Sequence, residues 1–290
     1  MSALRPERAL LLLLLAAAAA CGRSDRDTAA AQAAATGSGG EDDGVPCTPL
    51  ETRPPNADGQ RPEFEGQTRT CGVKSTTAFD VTVVAKELEH PWAVEPLPDG
   101  SLLVTEKPGR MRVVSARGEL GKPVVGVPEV DARGQGGLLD VTLDPAFPAN
   151  RRIYLSFAEP GEGGTNSTAV ARATLSEDNS ALSDVEVIFS QQPKLPSTMH
   201  YGSRLVFDRA GDLFVTLGER SEEQFRGQAQ ELNSHLGKVV RIHPDGDVPE
   251  DNPFVHTEGA LPEIWSYGHR NIQAAALHPE TGEIWEIEHG

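Results

Sequence analysis

From about residue 79 onward, short apolar runs alternate with clusters of turn residues. The runs at 80–85, 101–106, 111–114, 152–157, 168–173, 204–207, 212–217, 238–242 and 283–287 are rich in Val, Ile, Leu, Phe and Thr. Each is bounded by Gly, Pro, Asp, Asn or Ser, and no stripe of helical period competes with them. That texture predicts many short β-strands and an all-β fold.

The turns repeat as well. Leu97-Pro98-Asp99-Gly100, Leu143-Asp144-Pro145, Phe207-Asp208-Arg209-Ala210-Gly211 and Leu277-His278-Pro279-Glu280-Thr281-Gly282 each lead into a predicted strand. Their starts lie 46, 64 and 70 residues apart. A four-stranded propeller blade takes roughly 40–50 residues. The first spacing fits directly, and the longer two place insertions at 191–198 and 219–234. One sheet cannot bury both its faces, whereas sheets stacked radially bury them against each other. Residues 79–290 hold about four such blades. The sequence stops at Gly290 directly after a strand, so an incomplete ring is expected.

Composition agrees with this picture. Among 290 residues, 29 are Gly and 22 are Pro, which disfavours long helices. The formal net charge is −17, and an acidic surface repels phosphate backbones, so no nucleic-acid partner is expected.

The N-terminus changes the setting. Arg5 and Arg8 precede an apolar run from Leu10 to Ala20, which has signal-peptide length and is short for a bilayer span. Residues 1–21 therefore read as a signal peptide, and the chain as exported to the periplasm or cell envelope. Ala18-Ala19-Ala20-Cys21-Gly22 resembles a lipoprotein cleavage box. Lipidation at Cys21 is the expectation, giving contact with the membrane through a lipid anchor only. Ala18 departs from the usual Leu and leaves plain signal-peptidase cleavage open. Residues 22–78 are Ala/Gly/Ser/Thr-rich and then acidic, as in a flexible tether. Within them, Cys47 and Cys71 form a plausible disulfide pair in an oxidising compartment.

Two segments carry the chemistry. His200-Tyr201-Gly202-Ser203-Arg204 sets an imidazole, a base that works near neutral pH, beside a small-residue turn. Tyr267-Gly268-His269-Arg270-Asn271 sets a guanidinium and an amide just ahead of a strand, and a guanidinium fork suits carboxylates and developing oxyanions. A Gly-rich stretch, Gly134-Gln135-Gly136-Gly137-Leu138-Leu139-Asp140, lacks the Lys-Ser/Thr end of a phosphate loop. His90-Pro91-Trp92-Ala93-Val94 and Asp251-Asn252-Pro253-Phe254 are two further motifs. Glu288-His289-Gly290 closes the chain.

Together these motifs resemble the glucose/sorbosone dehydrogenase family of soluble quinoprotein sugar dehydrogenases, over about residues 79–290. The resemblance implies a six-bladed β-propeller, of which about four blades are present here. It makes the motifs at 90–94 and 251–254 architecture, the first in an opening blade and the second as a blade connection. It implies oxidation of an aldose sugar at its anomeric carbon to a lactone, with hydride passing to pyrroloquinoline quinone (PQQ) and electrons leaving to an external acceptor. It casts His200 as general base and Arg270 as the group stabilising charge on the quinone oxygen. Gln135, Arg270, Asn271 and His289 become cofactor contacts. The backbone carbonyl of Gly290 becomes a ligand to Ca²⁺, a hard cation that takes oxygen donors. Ile272 and Ala274 depart from the Pro and Gly usual in the family and leave the chemistry-bearing side chains unchanged. Two other readings share the fold: a non-catalytic propeller binding sugar or protein at the cell surface, and a calcium-dependent propeller lactonase, for which Asp140 and Asn271 are sparse ligands.

Overall fold

The computed structural model describes residues 49–53, 71–72 and 75–289. Contacts divide the chain into two units, Met1–Phe79 and Asp80–Gly290. In the first, Pro49 and Cys71 form an isolated antiparallel bridge, and Cys71 is disulfide-bonded. Cys21 and Cys47, the expected lipidation site and disulfide partner, lie outside the described residues, as does Gly290. Among the described residues no helix is long and apolar enough to cross a membrane.

The second unit is built from antiparallel four-stranded sheets joined in sequence. The first holds β1 (Pro91–Pro96), β2 (Leu102–Glu106), β3 (Arg110–Val114) and β4 (Leu120–Pro123) in that order. The second holds β5 (Leu138–Leu143), β6 (Arg152–Pro160), β7 (Asn166–Leu175) and β8 (Leu182–Ser190). The third holds β9 (Leu205–Phe207), β10 (Leu213–Thr216), β11 (Lys238–Ile242) and β12 (Ile264–Tyr267). A two-stranded sheet of β13 (Ile272–Leu277) and β14 (Ile284–Glu288) follows. This is a β-propeller with three full blades and the first two strands of a fourth. The repeated turn motifs each form the hairpin between the first and second strands of a blade.

Period-2 alternation explains why the sheets stack. On β6, Ile153, Leu155 and Phe157 join a core with Leu103 and Met111 of the first blade. Tyr154, between them in sequence, joins Leu205, Val215 and Val240 of the third. On β7, Ala169, Ala171 and Ala173 face the first core and Val170 the second. A strand buried on both faces is the signature of a sheet packed between two others. Each large aliphatic side chain buried this way stabilises the fold by about 1.5–3 kcal/mol.

Three expectations from sequence need correction. Residues 80–85 form no strand: Val81, Val83 and Val84 are exposed, and β-propensity without a neighbour to pair with does not make a strand. The insertions fall at the β8–β9 and β10–β11 connections as expected, but residues 243–263, between β11 and β12, form another. The Asp251–Phe254 motif lies there, inside one blade rather than between two.

The first strands of the blades lie side by side and carry charges. Asp140 on β5 is buried, accepts the Leu205 amide at 2.8 Å and pairs with Arg204 at 3.1 Å. Burial, partly offset by Arg204 and by the Leu205 and Val141 amides, pushes the Asp140 carboxyl up to about 6. Burial and the charge of Asp140 push Glu95 on β1 up to about 7. An acid raised on folding binds its proton more tightly in the folded chain. Its contribution to stability is therefore full below its unfolded value and lost as pH rises through the folded one. Glu95→Gln removes that loss. Its thermal midpoint should exceed that of the parent at pH 8 and match it near pH 4. An equal difference at both pH values would show that Glu95 is not held in the raised state.

Candidate active site

The loops at one rim of the blades bring together residues far apart in sequence. The Gly-rich stretch leads into β5. Residues 191–204 join β8 to β9, and residues 217–222 follow β10. Residues 268–271 join β12 to β13, and His289 follows β14.

His200 is buried and sits in the left-handed region at φ 51°. Strain of this kind persists only where surroundings over-determine it, and here they do. The amide of His200 donates to Gln135 Oε1 at 2.8 Å, and the amide of Gly202 donates to Asn271 Oδ1 at 3.0 Å. Farther along, the carbonyl of Ser203 accepts Ser156 Oγ and the amide of Leu205 donates to Asp140. The Gly-rich motif thus braces the histidine loop at both ends, through Gln135 and Asp140.

Among the described residues the His200 ring has one hydrogen-bond partner. Its Nδ1 lies 2.7 Å from Glu219 Oε2, and both side chains are buried. Glu219 Oε2 also accepts the Ser221 amide at 2.7 Å. Burial pushes the Glu219 carboxyl up, but the His200 hydrogen bond, the Ser221 amide and nearby Arg270 outweigh it and hold the group below its ordinary value. An ionised carboxylate can only accept, so Nδ1 carries a proton, and in the neutral imidazole Nε2 is then the lone-pair acceptor. A carboxylate that fixes the tautomer and later steadies an imidazolium is the arrangement general-base catalysis needs.

Arg270 is half exposed, with Nε 3.8 Å from Glu219 Oε1. Its backbone is pinned: the Arg270 amide donates to Glu288 Oε2 at 2.6 Å, and its carbonyl accepts the Glu219 amide at 2.9 Å. Asn271 is buried, with its carboxamide oxygen committed to Gly202. His289 is exposed and its amide donates to the carbonyl of Asn271. Of the residues singled out from sequence, His200 and Arg270 lie against Glu219, while Gln135, Asn271 and His289 are tied to the same loops by the backbone hydrogen bonds above. His200, Arg270 and His289 keep side-chain groups to offer a ligand; Gln135 and Asn271 each spend the carboxamide oxygen on a loop amide and keep the amide protons.

Glu219 itself escapes a reading of the sequence, where it opens what looks like an insertion. The available signal is Gly218-Glu219 directly after the apolar run 212–217. Gly218 packs against the backbone of His200, which brings the next residue under the imidazole.

The donor set suits a planar quinone carrying carboxylates. Arg270 supplies a fixed cation, and Gln135, its oxygen spent on His200, has only its amide protons to offer. For Ca²⁺, the described residues contain no group of three or more His, Cys, Asp or Glu able to hold a metal ion. The expected carbonyl ligand is Gly290, outside them.

Comparisons with known proteins show the family and the fold. A family model described as Glucose / Sorbosone dehydrogenase matches residues 88–290. Aldose sugar dehydrogenase YliI of Escherichia coli K12 is 46% identical over 212 residues, covering 73% of this chain and 56% of the relative. The apo-form structure of the soluble aldose sugar dehydrogenase from Escherichia coli superposes with a TM-score of 0.70 at 46% identity, over 73% of this chain and 60% of that one. The PQQ-bound aldose sugar dehydrogenase from Streptomyces coelicolor gives a TM-score of 0.62 at 29% identity, over 72% and 59%. The chain spans about half the length of the curated relatives it matches.

Proposed function

Because the chain belongs to the glucose/sorbosone dehydrogenase family, we propose that it oxidises aldose sugars at the anomeric carbon to lactones, with PQQ as cofactor. The observation that carries this reading is the buried His200–Glu219 contact at 2.7 Å. His200 Nε2 takes the proton of the anomeric hydroxyl. Glu219 keeps Nδ1 protonated and stabilises the imidazolium as it forms. Arg270, Gln135 and the amide protons of Asn271 would hold the cofactor's acidic and carbonyl oxygens, with His289 beside them. When bound, the quinone supplies the two-electron chemistry, accepting hydride from the anomeric carbon. Arg270 offers its positive charge where negative charge grows on a quinone oxygen. Asn271 holds the turn at Gly202 on which the base depends. Ca²⁺ enters this reading only through the carbonyl of Gly290, and no step is assigned to it. Electrons leave to an external acceptor.

The sequence pattern supports placing this activity outside the cytoplasm, on a chain exported by its first 21 residues and tethered at a lipidated Cys21.

The test supplies the full chain with PQQ, Ca²⁺, an aldose and a redox dye. The expected result is dye reduction with lactone formed, lost when the quinone is omitted. Lactone cleavage without quinone would instead make the protein a hydrolase. Sugar binding with neither activity would make it a binding propeller.

A further inference from the structure

The turn that aims Glu219 at the His200 ring is itself left-handed, with φ 72° at Arg220 and 66° at Ser221. It directs two successive side chains onto one loop. Arg220 is almost wholly buried. Its Nε donates to the carbonyl of Met199 at 3.0 Å. Its Nη2 donates to Asn166 Oδ1 at 2.5 Å and to the carbonyl of Ser197. The guanidinium lies over the Tyr201 ring, with Cζ 4.0 Å from the centroid. The loop answers in kind: Ser197 Oγ donates to the Arg220 carbonyl at 2.7 Å, and Tyr201 Oη donates to the same Asn166 oxygen at 2.9 Å.

One guanidinium therefore touches residues 197, 199 and 201, on both sides of His200. Every acceptor of its hydrogen bonds is a neutral oxygen, and the negative charges of Asp131 and Glu222 act on it without a direct bond. Burying a charge on neutral acceptors is costly, and filling this space does not require one. What arginine adds is a rigid planar fork that reaches several acceptors while stacking on a ring, which a lysine ammonium cannot reproduce.

We infer that Arg220 is a positioning residue for His200: Glu219 holds the imidazole, and Arg220 holds the backbone on either side of it. The inference rests on the proposed role of His200 as base and deepens it. A base displaced by about 1 Å can lose on the order of 10²-fold in rate, so the clamp is felt in turnover although it touches no substrate.

Two measurements on the full chain test it. The first needs no activity: amide hydrogen exchange is followed in parent and Arg220→Lys. Exchange should quicken in the 195–203 segment while β2 stays protected. Unchanged exchange at 195–203 would overturn the inference. Should Arg220→Lys lose protection everywhere, Ser197→Ala, which removes one hydrogen bond of the clamp, decides by the same comparison. The second uses the PQQ-loaded chain. Arg220→Lys should lower kcat by about 10–100-fold with KM nearly unchanged. Added to His200→Ala it should cost nothing more, because the residue it positions is gone. A loss that multiplies in the double variant would mean Arg220 acts elsewhere. A parent chain without turnover would refute the proposed activity, and the exchange result would then judge Arg220 alone.

Discussion

Replacing His200 with alanine should lower aldose turnover by about 10²–10⁴-fold, the contribution of a positioned general base. The variant should keep its fold. His200 is bonded to Gln135 through its amide, which alanine retains, and the left-handed backbone at this position strains either residue alike. The imidazole is hydrogen-bonded to Glu219, whose Oε2 still accepts the Ser221 amide. Steady-state kinetics beside a thermal melt separate the two effects. A melt close to the parent's with turnover also unchanged would remove His200 from the mechanism.

Gly218→Ala should damage the active rim with a single methyl group. A Cβ built at Gly218 falls 1.9 Å from the carbonyl oxygen of His200 and 2.3 Å from its carbonyl carbon. Both are backbone atoms, so no side chain can swing aside. Either the His200 loop or the Glu219 turn must move, and the ring and carboxylate part. Overpacking a tight site costs about 1–3 kcal/mol and sometimes more, and this clash belongs at the upper end. For a unit of about 200 residues, ~3 kcal/mol lowers the thermal midpoint by roughly 6–12 °C. Turnover should fall with it even though no reacting group is altered. Gly227→Ala is the control, since nothing lies within 4 Å of its Cβ position. A Gly218→Ala chain that melts and turns over like Gly227→Ala would contradict the packing described.

The strands most legible in the sequence were those buried on both faces. β6, β7 and β11 announce themselves as apolar runs because each faces a neighbouring blade or a packed loop. β8 is harder to see: as the outer strand of its blade, residues 183–187 are exposed, and Asp184 and Glu186 interrupt the pattern. Residues 80–85 show the opposite failure, since Val-rich alternation carries propensity but no information about a partner. The hairpin turns were readable because Asp-Gly and Asp-Pro chemistry is local. At the site, His200, Arg270 and Gln135 stand in recognisable motifs. Glu219 and Arg220 do not, because their roles come from a tertiary contact at Gly218 and from left-handed backbone at Arg220 and Ser221. Asn271 stands in a motif too, yet its oxygen is committed to the Gly202 amide.

The central claim is that an imidazole held by a buried carboxylate removes the proton of the anomeric hydroxyl while the bond from anomeric carbon to hydrogen breaks. Single-turnover oxidation by the PQQ-loaded chain, without an external acceptor, tests it with an aldose deuterated at that carbon. The parent should consume the deuterated sugar more slowly than the ordinary one, and His200→Ala should be slow with both. Equal rates for the two sugars in the parent, on a step that still forms lactone and that His200→Ala leaves untouched, would contradict it.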